Sequence, residues 1–80
     1  FALAIAFRRH PDLLIGARLG SPLVVGYGDG GSEAEMFLGS DALALAPLTQ
    51  RIAYLEEGDW VVIRRGGAEI FDATGEPVTR

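Results

Sequence analysis

The chain has 80 residues, no cysteine and a formal net charge of −4, with 49% hydrophobic and 22% charged residues. This length allows at most one small domain, and the composition is globular rather than disordered. The lack of cysteine excludes disulfides and thiolate metal cages. Seven scattered basic residues, all arginine, argue against a nucleic-acid partner. No apolar stretch approaches the ~20 residues that span a membrane. We therefore expect a cytoplasmic protein with no membrane partner.

The first segment, residues 2–7, alternates alanines with large apolar side chains. Because both faces are apolar, we expect this strand to be buried on both sides of a sheet. It follows Phe1 directly, whereas a natural terminus is usually polar and loosely held. We therefore expect the chain to be part of a longer polypeptide.

Three strands are predicted to form a meander in the first third of the chain. A polar turn at 8–12 separates residues 2–7 from a second strand at 13–18, and a turn at 19–22 precedes a third strand at 23–25.

The middle of the chain predicts a loop, a strand and a helix. Residues 26–35 are rich in glycine and acidic side chains, which indicates an exposed loop, and 36–38 form a short strand. Ser40-Asp41 offers a helix N-cap, so a helix of about two turns is expected before Pro47, with Leu45 and Leu48 sharing a face.

The last third predicts strands over 51–55, 60–63 and 68–71, with a tight hairpin turn at 56–59 and a final turn at 74–77. The total is about seven strands and one short helix, which is an α+β fold.

Two motifs suggest chemistry but are better explained as structure. Gly26, Gly28 and Gly31 fit G-x-G-x-x-G, yet the strand-like 36–38 follows where a dinucleotide-binding unit needs a helix. The single histidine, His10, lies in a predicted turn with no recognisable nucleophile, so we interpret it as a solvated residue and expect no zinc site.

The acidic run Glu56-Glu57-Gly58-Asp59 is interpreted as a hairpin turn kept soluble by its charge, rather than as paired catalytic carboxylates. Trp60 is expected to be a packing residue. Arg18 and Ser21 flank the turn at Gly20. Ser21 could hydrogen-bond a ligand at an active-site rim, but a turn-stabilising hydroxyl is the favoured interpretation. From the residues alone, no catalytic constellation is present.

Several segments, taken in order, resemble one known family. They are HPD at 10–12, ARLGSPLVVG at 17–26, SDALALAP at 40–47, YLEEGD at 54–59 and IFD at 70–72 followed by Thr74-Gly75. Together they resemble the second half of the glutaminase domain of the glutamine–fructose-6-phosphate aminotransferases (isomerizing), the glucosamine-6-phosphate synthases. The stretch 28–35 looks like an insertion relative to common members.

The resemblance implies that residues 1–80 are a single partial domain, the second half of a glutaminase type 2 domain truncated at its N-terminal side. Its fold would be the strand-rich portion of an N-terminal nucleophile hydrolase αββα sandwich. In that family an N-terminal cysteine attacks glutamine, forms a glutamyl thioester and releases ammonia. The principal glutaminase residues would lie upstream, so the resemblance assigns no catalytic, substrate-binding or metal residue to this chain.

The resemblance further implies that the parent enzyme uses glutamine and fructose 6-phosphate, needs no cofactor and forms a homo-oligomer. Within it, these residues would pack on the rest of the glutaminase domain, next to sugar-isomerase domains. Two alternatives stay open: a β-rich, non-catalytic binding or interaction module, and a fragment of another class II glutamine amidotransferase.

Overall fold

Two antiparallel sheets account for most of the chain. The structure, a computed structural model, describes residues 2–7, 10–28 and 35–80. Within these ranges the elements in chain order are β1 Ala2–Phe7, β2 His10–Arg18, β3 Val24–Tyr27, β4 Met36–Gly39, α1 Ala42–Leu45, β5 Arg51–Tyr54, β6 Trp60–Arg64, β7 Gly67–Phe71 and β8 Pro77–Val78. The predicted α+β class is confirmed.

The strand order is β1-β2-β6-β7-β8 in the five-stranded sheet and β4-β3-β5 in the three-stranded sheet. The predicted meander is therefore wrong, because β3 leaves the sheet of β1 and β2. The predicted hairpin at 56–59 is also wrong, since β5 and β6 lie in different sheets. In both places a polar turn between two apolar runs carries the chain from one sheet to the other. After the second turn the chain returns to the five-stranded sheet, where β6 pairs with β2.

The core lies between the two sheets. Its buried members come from both sheets and from the crossing segments: Leu23, Val25, Ala53, Leu55, Val61, Ile63 and Ile70. Alternation along β6 explains the arrangement, because Val61 and Ile63 face the core while Val62 faces outward. Gly16, directly across from Val61, lets the sheets approach closely at this point.

The second strand starts earlier than predicted. His10 already pairs with Phe7 after a register shift next to Ala6, so His10, Pro11 and Asp12 belong to β2 rather than to a turn. Residues 8 and 9 lie outside the described residues. The polar composition of 10–12 suits an extended strand end as well as it suits a turn, which is why composition alone misplaced the boundary.

The glycine-rich segment is only partly a loop. Gly26 and Tyr27 belong to β3, and Gly26 is buried. The Gly28 N–H donates to the Glu35 carbonyl at 2.9 Å, at the base of the connection to β4. Residues 29–34, and with them Gly31 of the G-x-G-x-x-G match, lie outside the described residues. Because β4 runs antiparallel to β3, the segment does not have the geometry of a dinucleotide-binding unit.

The short helix is capped as predicted but is shorter. The Ala44 N–H donates to Asp41 Oδ1 at 2.9 Å, and α1 ends after a single turn, before Pro47. Leu45 is buried against the glycines of β3 and β4, whereas Leu48 is 56% exposed. The predicted shared face of Leu45 and Leu48 is wrong, since residues 46–48 form a turn rather than a second helical turn.

Two features at the sheet edges differ from expectation. Ile5 is 42% exposed, so the predicted burial of the first strand on both sides does not hold at this residue of the edge strand β1. Conversely, Pro77 and Val78 pair with β7 and form β8, where the sequence predicted the end of a turn. Proline is tolerated as the first residue of an edge strand because its missing N–H is not needed there.

Candidate functional site

The chain crosses between the sheets twice, and the two crossings meet. The first, residues 19–23, leads from β2 to β3, and the second, residues 55–59, leads from β5 to β6. We call the contact between them the crossover junction. It brings together ARLGS and YLEEGD, two of the segments that carry the family resemblance.

Backbone hydrogen bonds join the second crossing to the end of β2 and to the first crossing. The Arg18 N–H donates to the Asp59 carbonyl at 2.9 Å, and the Gly58 N–H donates to the Arg18 carbonyl at 3.0 Å. At the other end of the two crossings, the Leu55 N–H donates to the Leu23 carbonyl at 3.0 Å. Gly58 has a φ of +84°, a left-handed conformation that glycine adopts at little cost. The sequence Glu-Glu-Gly-Asp therefore places a glycine at the position of this turn that has the left-handed conformation.

Side chains add a second set of links. The Arg18 Nη1 group donates to the Leu55 carbonyl at 2.7 Å, and the Gly20 N–H donates to Glu57 Oε2 at 2.8 Å. Arg18 Nε is buried, has no hydrogen-bond acceptor among the described residues, and lies 3.9 Å from Glu57 Oε2. Arg18 thus holds the second crossing in place, and Glu57 holds the first.

The centre of the junction is a buried carboxylate. Asp59 is 1% exposed. Its Oδ2 accepts from Arg80 Nε at 2.7 Å and from the Glu56 N–H at 2.8 Å, while its Oδ1 accepts from Arg80 Nη2 at 2.8 Å. Arg80 Nη1 also lies 2.9 Å from Glu56 Oε2. We call the group Asp59, Arg80 and Glu56 the clasp.

Within the clasp, the pKa values of Asp59 and Arg80 are shifted in the directions that favour their charged forms. The hydrogen bond from Arg80 holds the pKa of Asp59 below its usual value, although burial acts to raise it, and the Glu56 N–H adds to the lowering. The same hydrogen bond raises the pKa of Arg80. The interpretation of 56–59 as a solvated hairpin turn is therefore wrong at Asp59, while Glu56 and Glu57 are exposed.

This pKa shift predicts a loss of stability in acid. Because the folded pKa of Asp59 lies below the unfolded value of 3.8, its contribution is complete well above 3.8 and is lost as the pH falls through the folded pKa. We expect the free energy of unfolding, measured in urea, to fall more steeply from about pH 5 to about pH 3 in the unmodified protein than in Asp59→Asn. Equal slopes in the two proteins would contradict this assignment.

The other residues considered from sequence do not gather at one place. Ser21 is exposed at the first crossing, and its possible contact with a ligand stays a prediction. Trp60 stacks on Phe71 with ring centroids 4.3 Å apart, which confirms its packing role. Sequence reasoning missed Arg80, because nothing in the local sequence distinguishes this lone arginine from one without a carboxylate partner.

The described ranges contain no group of three or more His, Cys, Asp or Glu residues placed to hold a metal ion. Over the same part of the chain, no helix is long and apolar enough to cross a membrane. The charged groups of the junction bind one another and the backbone, so the arrangement holds two sheets and two crossings in fixed relation.

Comparison with known proteins places the chain within longer relatives. It is 70% identical over all 80 residues to a glutamine–fructose-6-phosphate aminotransferase (isomerizing) of Zymomonas mobilis, and 60% and 52% identical to proteins of the same name from Mesorhizobium japonicum and Gluconobacter oxydans. In each case the chain spans 12% of the relative's length. No family model matches the chain.

Proposed function

We propose that the chain forms the second half of the glutaminase domain of a glutamine–fructose-6-phosphate aminotransferase (isomerizing), because it is similar over its whole length to proteins of that name. The parent protein would hydrolyse glutamine and transfer the ammonia to fructose 6-phosphate, giving glucosamine 6-phosphate. It would act in the cytoplasm as a homo-oligomer. The role of these residues would be to complete the scaffold behind a site built by other parts of the polypeptide.

The observation that carries the partial-domain assignment is the outer face of the five-stranded sheet. Ile5, Ile15 and Val62 lie side by side across three strands on the face opposite the core, and Trp60 and Phe71 stack on the same face. Ile5 is 42% exposed. The helix α1, the only one in the described ranges, packs on the three-stranded sheet instead. An apolar sheet face of this kind is expected to be covered by another layer, as in an αββα sandwich.

The proposal is tested by segment exchange. In the Zymomonas mobilis relative, the homologous 80 residues are replaced by this chain, and glucosamine 6-phosphate formed from glutamine and fructose 6-phosphate is measured. We expect the chimera to keep its rate within about tenfold of the parent, because compatible cores tolerate many apolar substitutions. A folded chimera with no activity would contradict the proposal.

The 80-residue chain by itself gives the complementary test. We expect it to release no ammonia from glutamine, since it contains no cysteine to form a thioester. Glutaminase turnover by the purified chain, after removal of any host enzyme has been verified by mass spectrometry, would overturn the assignment.

A further inference from the structure

The strand β8 is held only weakly by the sheet to which it belongs. It has two residues, which pair Val78 with Ile70 and Pro77 with Phe71. Arg80 lies beyond this pairing. Because so short a strand makes few ladder contacts, the sheet alone gives β8 little stability. The contacts on either side of the strand therefore decide whether it stays in place.

The turn that precedes β8 is closed by its own hydrogen bonds. The Asp72 carboxylate accepts from the Thr74 N–H, the Thr74 hydroxyl and the Glu76 N–H. The Asp72 N–H donates to the Glu76 carbonyl at 2.9 Å, and Gly75 has a φ of +88°, which glycine adopts at little cost. Since all of these contacts lie within residues 72–76, the turn can keep its shape while the residues after it move. It is suited to act as a hinge.

The clasp holds the chain on the other side of β8. Arg80 Nε and Nη2 donate to the two Asp59 carboxylate oxygens at 2.7 and 2.8 Å, and Arg80 Nη1 lies 2.9 Å from Glu56 Oε2. Bidentate pairs of this kind are among the stronger hydrogen-bonded contacts in proteins. The Asp59 side chain is 1% exposed and that of Arg80 is 20% exposed, so the arginine is the partner that water reaches more readily.

Between the hinge and the clasp, β8 covers the edge of the five-stranded sheet. Val78 packs against the core, to which its partner Ile70 belongs. Without β8, the five-residue strand β7 would be the edge, and its N–H and C=O groups would be free to pair with another strand. As an edge, β8 is less open to pairing, because it is short and Pro77 has no N–H.

We propose that residues 72–80 form a strap latched by Arg80, which separates from β7 by turning about the Asp72 turn and opens this sheet edge while the core between the sheets stays folded. Opening leaves the Asp59 carboxylate without its counter-ion, and this cost keeps the strap closed in most molecules. The inference goes beyond the proposed function and does not depend on it, since it invokes only contacts within residues 56–80.

Hydrogen exchange in the folded protein measures this opening. It is followed by mass spectrometry in the Zymomonas mobilis chimera, at several urea concentrations below the unfolding transition. We expect the amides of residues 70–78 to exchange faster than those of β2 and β6, and with little dependence on urea, because a local opening exposes little surface. The exchange of the β2 and β6 amides should instead rise steeply with urea.

Removing the latch should make the opening more frequent. In Arg80→Met we expect the amides of residues 70–78 to exchange about tenfold faster or more, still with little dependence on urea. Arg80→Lys keeps the charge but loses the bidentate geometry, so its effect should be intermediate. Arg64→Met is the matched control, since Arg64 belongs to the same sheet but forms an exposed pair with Glu69. It is expected to leave these exchange rates as they were.

The inference is overturned if residues 70–78 exchange at the same rate and with the same urea dependence as β2 and β6, since β8 would then leave only when the core unfolds. It is also overturned if Arg80→Met and Arg64→Met have the same effect. If Arg80→Met does not fold, Arg80→Lys decides between the same outcomes. Exchange needs no catalytic turnover, so a folded but inactive chimera, which contradicts the proposed function, still tests the strap.

Discussion

Replacing Asp59 with alanine is expected to lower the free energy of unfolding by about 3 kcal/mol, the largest effect of any single substitution proposed for this chain. The change removes the acceptor of two Arg80 hydrogen bonds and leaves the Glu56 N–H without its acceptor, and all three hydrogen bonds are partly buried. The second crossing should loosen as a consequence. Urea titration followed by the fluorescence of Trp60, the only tryptophan of the sequence, measures the change next to the altered residue.

The matched control is Asp12→Ala. Asp12 also pairs with an arginine, Arg65, at 3.0 Å, but both side chains are more than half exposed. Exposed ion pairs contribute little to stability, so we expect Asp12→Ala to lower the free energy of unfolding by less than about 1 kcal/mol. Similar losses for Asp12→Ala and Asp59→Ala would show that burial of the clasp has no energetic consequence.

Gly16→Val is expected to destabilise the protein by about 2–3 kcal/mol, by forcing the two sheets apart. A Cβ added at Gly16 would lie 2.9 Å from Leu38 Cδ2, 3.2 Å from Leu23 Cδ2 and 3.3 Å from Val61 Cγ1. Leu38 is only half-buried and can rotate, so Gly16→Ala should cost less. The branched valine also presses on Leu23 and Val61, which are buried in the core between the sheets.

Gly67→Ala provides the comparison, because nothing lies within 4 Å of a Cβ added at Gly67, which also belongs to a strand. We expect its free energy of unfolding to stay within about 0.5 kcal/mol of the unmodified protein. If Gly16→Val unfolds at the same urea concentration as Gly67→Ala, the close approach of the sheets at Gly16 is not a packing constraint.

The sequence predicted the individual elements better than their assembly. The positions of β4, β6 and β7, the N-cap Asp41 and the packing of Trp60 all follow from local patterns and are confirmed. The distribution of strands between two sheets was not predictable in this way. A polar turn between two apolar runs looks alike in sequence whether the second run pairs with the first or crosses to another layer.

The crossover junction was not predicted from the sequence for a related reason. The segment Glu56-Glu57-Gly58-Asp59 carries three carboxylates, and their charges alone indicate a solvated turn. Asp59 is instead buried and paired with Arg80, which lies 21 residues further along the chain, after β8. Local composition contains no information about such a partner. The family resemblance located both crossings as shared segments, but it gave no indication that they touch.

The meeting of the two crossings has a consequence for how the chain folds. The hydrogen bond between Arg18 and Asp59 closes a loop that contains the whole three-stranded sheet, so β2 and β6 cannot pair until that loop has closed. Closing a long loop is an entropic cost that must be met before the contacts it permits are formed. The hairpin of β3 and β4 needs no such closure. We therefore expect the three-stranded sheet to form early and the five-stranded sheet to form late, with the clasp among the last contacts made.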